Sequence, residues 1–403
     1  MSPRRVNLVT NLWSERRAKP RIGRLYVSKF CFVAMFYLSI MACSLGQEST
    51  SNRMAREADE ALRTQNYDLA IADYREFLRS RPSAAGAWSN LGAAWLAKGS
   101  LSLATDSFTR AARLQPANGD YAFNAALALV RLDKCDAADR FLVVSLQAPR
   151  HRTASLFMSG LCAFVAQEWS LARETLAAAE AGGCQTAETY YMLTIASRKS
   201  QSPNEARRAF DLLKSRFPNS SLFHELLGEA LDEDSQSEEA QKELSMAIAN
   251  SPYTPGLHAK LGLLMWKAHR LDDAAELFDQ ELAIDPRSYS AMHYLGDIAE
   301  QNSQLPQALI WYGRALQEQP KSGEAHFAAG RVLELEDRSE EALREFQASL
   351  PALENDASAH YWTAKALRRL GMREQANMEL AKVQEINKAA RNMILTMLGS
   401  GEQ

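Results

Sequence analysis

Four histidines, His224, His258, His326 and His360, follow one another at intervals of 34, 68 and 34 residues. Such a recurrence could mark a series of metal ligands. One zinc ion, however, needs several donors at about 2 Å. If each 34-residue unit holds packed helices, equivalent positions lie roughly 8 to 10 Å apart or more. The spacing therefore favours a packing role, and no metal site is expected. The sequence contains no cysteine pair at metal spacing, no glycine-rich phosphate loop and no G-x-S-x-G elbow. These residues supply neither a catalytic constellation nor a reason to expect a cofactor.

The elements that carry the histidines are legible from Ala85 to Asn118, AGAWSNLGAAWLAKGSLSLATDSFTRAARLQPAN. Trp88, Leu91, Gly92 and Trp95 share one helical face, Ala104, Phe108 and Ala111 the next, and Pro116 ends the second helix. Gly92 and Ala104 let the two backbones approach, and Trp88, Trp95 and Phe108 fill the space beside them. The pattern repeats without insertion in ten windows, 51–84, 85–118, 119–152, 153–186, 187–220, 221–254, 255–288, 289–322, 323–356 and 357–390. The twentieth position of every window is alanine, from Ala70 to Ala376. The eighth is glycine or alanine in all but Thr194, and the thirty-second is proline in six windows.

The spacing Trp88, Leu91-Gly92, Trp95, Ala104, Phe108, Ala111, Pro116 resembles the tetratricopeptide repeat (TPR), and the resemblance covers residues 51–390. It implies an all-α, right-handed superhelix (α-solenoid) of ten helix-turn-helix repeats, which grows by stacking and needs no separate domains. In that family the first helix of each repeat lines a concave groove, with positions 2, 5, 6, 9, 12 and 13 facing it. Carried over by register, those positions give an apolar centre of Phe123, Leu127, Val130, Phe157, Met158, Leu161, Phe164, Val165, Tyr191, Met192 and Ile195. Glu225, Glu229, Asp232 and Glu233 follow, and Tyr361, Trp362, Lys365, Arg368 and Arg369 form a basic, aromatic end. Trp266 and Arg331 occupy groove positions between them. Aromatics at the fifth position, Phe123 and Phe157 among them, can equally brace neighbouring repeats. Asn90 and Asn124, both at the sixth position, resemble the asparagine ladder with which some members hold peptide backbone. The lysine-asparagine carboxylate clamp of chaperone-binding members is not matched.

Residues 1–46 read differently. Eight Lys or Arg precede residue 30 against the single acid Glu15, and Phe30 to Gln47 carries no charge, the signature of an export signal or anchor. At this length it is short for a membrane span. The basic flank would place the repeats on the non-cytoplasmic side, periplasmic or membrane-anchored. Ile40-Met41-Ala42-Cys43 resembles a lipobox, making Cys43 a candidate for lipidation, while Ser44-Leu45-Gly46 suits ordinary cleavage before Gln47. Both readings stay open.

Without residues 1–46 the chain holds 38 Lys plus Arg against 48 Asp plus Glu. That balance gives no basic footprint for nucleic acid. The three remaining cysteines, Cys135, Cys162 and Cys184, are expected to be packed and unbridged, since helical repeats need no disulfide framework. The expected function is a non-catalytic scaffold that takes a peptide or amphipathic helix of another protein in its groove. The alternatives are a lipid-anchored factor that assembles or localises an envelope complex, and a carbohydrate-binding accessory protein with Trp266 and Trp362 stacking on sugar. The short tail, residues 391–403, with Met393, Ile394, Met397 and Leu398, or a second copy, could also fill an apolar groove.

Overall fold

The computed structural model describes the backbone of residues 50–399 and the side chains of residues 53–392. The basic leader, the apolar run and Cys43 lie outside the described residues. Within them the protein is all α-helix, twenty helices without a strand. No described helix is long and apolar enough to cross a membrane. The chain divides between Phe223 and His224 into two units, taken here in turn.

The first unit holds α1 (Thr50–Arg63), α2 (Tyr67–Ser80), α3 (Ala85–Ala97), α4 (Leu101–Leu114), α5 (Gly119–Arg131), α6 (Cys135–Ser145), α7 (Arg152–Val165), α8 (Trp169–Ala181), α9 (Ala187–Lys199) and α10 (Pro203–Arg216). Odd-numbered helices are the first of each repeat, even-numbered the second. Each pair packs on itself, and the first four also pack on the first helix of the following repeat. The division falls within α11 (Ser221–Glu233). The second unit continues with α12 (Ser237–Asn250), α13 (Leu257–Lys267), α14 (Leu271–Ile284), α15 (Tyr289–Gln301), α16 (Leu305–Glu318), α17 (Gly323–Leu335), α18 (Ser339–Ser349), α19 (Ala357–Arg369) and α20 (Arg373–Gly399). The last helix runs beyond the tenth window, through residues 391–399.

Short-range chemistry explains the boundaries. The residue before each of five first helices, Asn118, Thr186, Ser288, Ser322 and Asp356, caps it by accepting backbone N–H bonds on its side chain. First helices end where the fifteenth residue of every repeat turns left-handed. Gln65, Asp133, Gln167, Gln201, Ser235, His269, Ser303 and Asp337 take φ of 56 to 62°, and Gly99 and Gly371 take 78°. Repeat 7 starts late, because Gly256 sits at φ 93° and no Ser, Asn or Asp side chain caps α13. The buried carboxylate of Glu281, on α14, takes that role and accepts the N–H of Gly256 at 2.6 Å and of Ala259 at 3.3 Å. Burial raises its pKa, and those backbone donors hold the rise back.

The core lies between paired helices. The alanines of position 20 are buried, and position 8 meets the ring or aliphatic chain of position 24. A Cβ on Gly92 would stand 2.7 Å from the Phe108 ring, and one on Gly330 2.6 Å from that of Phe346. Only glycine admits such an approach.

One expectation is corrected. Cys135, at the start of α6, and Cys162, in the middle of α7, form a disulfide across 27 residues with their Cα atoms 5.4 Å apart. The stacking of repeats 3 and 4 brings the two together, a juxtaposition that helix periodicity does not disclose. Cys184 stays outside the bridge, its sulfur 3.5 Å from the Thr189 hydroxyl.

Candidate partner-binding face

The groove positions divide into residues spent on the fold and residues left on the surface. In the first unit Phe123, Val130, Met158, Leu161 and Met192 are buried, so they belong to the core and not to an open face. Phe123 stacks on His151, with ring centroids 4.1 Å apart, and His151 in turn meets Asp120 at 2.9 Å. Leu127, Phe157, Phe164, Val165, Tyr191 and Ile195 stay half-buried on α5, α7 and α9. Most of them rest on that core. They form an apolar stripe across three successive repeats.

The asparagines bond to the preceding repeat. The Asn90 amide donates to Asp59 of the preceding repeat at 3.0 Å, and that of Asn124 to the Ser89 hydroxyl at 3.4 Å. Each amide thus gives one N–H to the previous repeat.

In the second unit the charged groove positions pair with one another across repeats. Lys260 bonds Glu225, and its ammonium is 2.5 Å from Glu229. Lys267 reaches Asp232 at 2.7 Å, Arg331 reaches Glu300 at 2.7 Å, and Arg369 reaches Glu334 at 3.1 Å as well as Asp337. The acidic segment expected from the sequence is therefore partly neutralised within the molecule. Asp297, at position 9 of repeat 8, accepts the Tyr312 hydroxyl at 2.6 Å, and Glu300 lies 3.0 Å from the same oxygen. Burial raises the Glu300 carboxyl above its ordinary range, opposed by Arg331 and the Tyr312 hydroxyl. Burial likewise lowers the pKa of His293 beside them. Trp266 packs on Tyr294 with centroids 5.2 Å apart, a brace between repeats 7 and 8.

Repeat 10 keeps its surface. On α19, Tyr361 is 53% exposed and Arg368 is exposed, and the Lys365 ammonium lies over the Trp362 ring at 4.1 Å from its centroid.

The histidines of position 4 turn out to be structural. His224, His326 and His360 each present Nδ1 to the carboxylate of position 23 in their own repeat, Glu243, Glu345 and Glu379, at 2.6, 2.7 and 2.5 Å. His326 and His360 also present Nε2 to the carbonyl of position 32 in the preceding repeat, Pro320 at 3.2 Å and Glu354 at 3.0 Å. Trp88 donates its indole N–H to the Pro82 carbonyl in the same way, at 2.9 Å. His258, which has Leu277 where the others have Glu, is buried and its pKa is lowered by burial. Among the described residues no group of three or more His, Cys, Asp or Glu could hold a metal ion.

A tetratricopeptide repeat family model matches residues 56–119 and 260–323, two segments that fall one in each unit. No curated protein matches the sequence. Among solved structures, PilF of Pseudomonas aeruginosa is 13% identical, with 50% of this chain and 91% of that one covered at a TM-score of 0.46. PilW, a type IV pilus biogenesis factor, is 20% identical over 49% of this chain and 92% of that one, TM-score 0.44. Cut9-Hcn1, an APC/C hetero-tetramer, is 12% identical over 84% and 94%, TM-score 0.45. Likenesses of this degree carry no argument about what this chain binds.

Proposed function

We propose that this tetratricopeptide repeat protein is a non-catalytic scaffold that seats a peptide or amphipathic helix of another protein on the apolar stripe of repeats 3 to 5. The observation that carries the reading is that Leu127, Phe157, Phe164, Tyr191 and Ile195 stay only partly buried on successive first helices. Most other groove positions are consumed by core packing or by ion pairs within the chain. Apolar side chains at helix spacing on the partner would fill a stripe of this kind, and contiguous exposed apolar surface is a mark of recognition sites.

The test is affinity capture of the tagged full-length protein, compared with the double variant Leu127→Asp/Ile195→Asp. Leu161→Asp is unsuitable, because Leu161 is buried and its substitution would unfold the array. Loss of a specific partner with unchanged helical circular dichroism supports the reading, and retention of that partner removes it.

Two observations support a location outside the cytoplasm, the basic and apolar leader and the Cys135–Cys162 bridge. Disulfides persist in oxidising compartments and are rare in the cytosol. Mass spectrometry of the mature N-terminus separates the two routes. Lipid on Cys43 favours a membrane-anchored assembly or localisation factor, and a start at Gln47 favours a soluble exported adaptor.

A further inference from the structure

The cations of the second unit's groove follow a rule that repeat 10 breaks. Lys260, Lys267, Arg331 and Arg369 each reach back to an acid of the preceding repeat. Lys365 occupies position 9 of repeat 10, as Arg331 does in repeat 9, and the equivalent acid would be Glu334. Arg369 has taken Glu334, and Ser339 holds its other oxygen at 2.8 Å. Lys365 is left over the Trp362 ring, and neither it nor Arg368 has an ion-pair partner among the described residues. Tyr361, Lys365 and Arg368 stand at i, i+4 and i+7 of α19, on one helical face. Beside them the rings of Tyr361 and Trp362 meet edge to face at 6.5 Å.

We infer that this face of α19 is a second docking site, distinct from the apolar stripe, for an acidic segment of a protein chain. Two uncompensated cations about one helical turn apart match carboxylates two or three residues apart on an extended segment. The exposed Tyr361 ring gives the segment's stems an apolar contact beside the two cations, and tyrosine, tryptophan and arginine are the residue types that anchor interfaces. The Lys365 ammonium, already drawn onto the Trp362 face, retains its capacity to meet a carboxylate at the ring edge. Its neighbours in the groove are neutralised, so the attraction is concentrated at this end of the unit. The site stands or falls independently of the stripe, because none of its residues belongs to repeats 3 to 5.

The experiment is fluorescence polarisation of a labelled hexapeptide, Glu-Asp-Glu-Asp-Glu-Asp, against the full-length chain at low and high salt. Its Gln/Asn counterpart serves as the neutral control. We expect saturable binding that weakens steeply with salt and falls by about tenfold or more in Lys365→Gln/Arg368→Gln. It should also fall in Tyr361→Ala, while Arg344→Gln, an exposed cation of α18, and Leu127→Asp/Ile195→Asp leave it unchanged. Circular dichroism of each variant guards against unfolding. The proposal is overturned by absence of saturable binding up to about 1 mM, or by equal binding to the neutral peptide or to the double variant. It is also overturned if a polyuronate or an anionic vesicle of matched charge binds more tightly than the peptide.

Discussion

Two side-chain pairings recur at fixed register and tell what single residues are for. The first joins the histidine of position 4 to the glutamate of position 23, in repeats 6, 9 and 10, and glutamate stands at position 23 in no other repeat. The second joins the tyrosine of position 24 to the aspartate of position 9, as Tyr74 to Asp59 and Tyr312 to Asp297, the only repeats where either residue occupies its position. Burial pushes the Glu379 carboxyl up, but hydrogen bonds from His360 and Lys382 outweigh it and hold the group below its ordinary 4.5. A carboxyl depressed in the folded state contributes stability above its unfolded value and loses it as pH falls through the folded one. Glu379→Gln should therefore cost about 1 kcal/mol near neutral pH and flatten the acid side of the stability curve. Thermal melts from pH about 7 down to about 3 check this, and an unaltered slope would contradict it. Tyr312→Phe removes the hydroxyl that serves both Asp297 and Glu300, leaving sheltered carboxylates short of a donor, with an expected loss of about 1–3 kcal/mol by denaturant titration. The recurrence of histidine was plain in the sequence. Its purpose was not, because the partner carboxylate lies nineteen residues away on another helix.

The helices and their pairing were largely readable, since period 3.6 patterning, the small residues of positions 8 and 20 and the proline of position 32 all point to one architecture. The left-handed fifteenth residue was not, because eight of its ten occupants are other than glycine. Non-glycine residues pay for that backbone conformation, so Gln167→Gly should stabilise the chain by about 0.5–1 kcal/mol. Gly99→Ala should destabilise it by a similar amount, both measured by chemical denaturation. Gly330→Ala decides between two opposed effects. Helix propensity favours alanine by about 1 kcal/mol, while forcing a methyl to 2.6 Å from the Phe346 ring costs about 1–3 kcal/mol through overpacking. A net loss of stability is expected. The Cys135–Cys162 bridge closes 27 residues between α6 and α7, which in the chain-entropy account contributes about 3–4 kcal/mol. Denaturant curves with and without a dithiol should differ by roughly that amount, and coincident curves would argue that the two thiols are not bridged.

At the scale of the molecule, register assigns positions to the candidate face but does not tell which of their side chains remain open. Burial of Phe123 and Leu161, the bonds of Asn90 and Asn124 to the preceding repeat and the pairing of Glu229 with Lys260 all depend on what a neighbouring repeat presents across the interface. A stripe of partly buried apolar residues on repeats 3 to 5 is what that subtraction leaves in the first unit. The direct measurement is site-specific photocrosslinking in the native host, with a benzophenone side chain at Ile195 or Phe164 and, as control, at Leu103, which is 44% exposed on the second helix of repeat 2. The account predicts one discrete adduct of the same partner from both groove positions and none from Leu103. No adduct from either groove position, or the same adduct from all three, would contradict it.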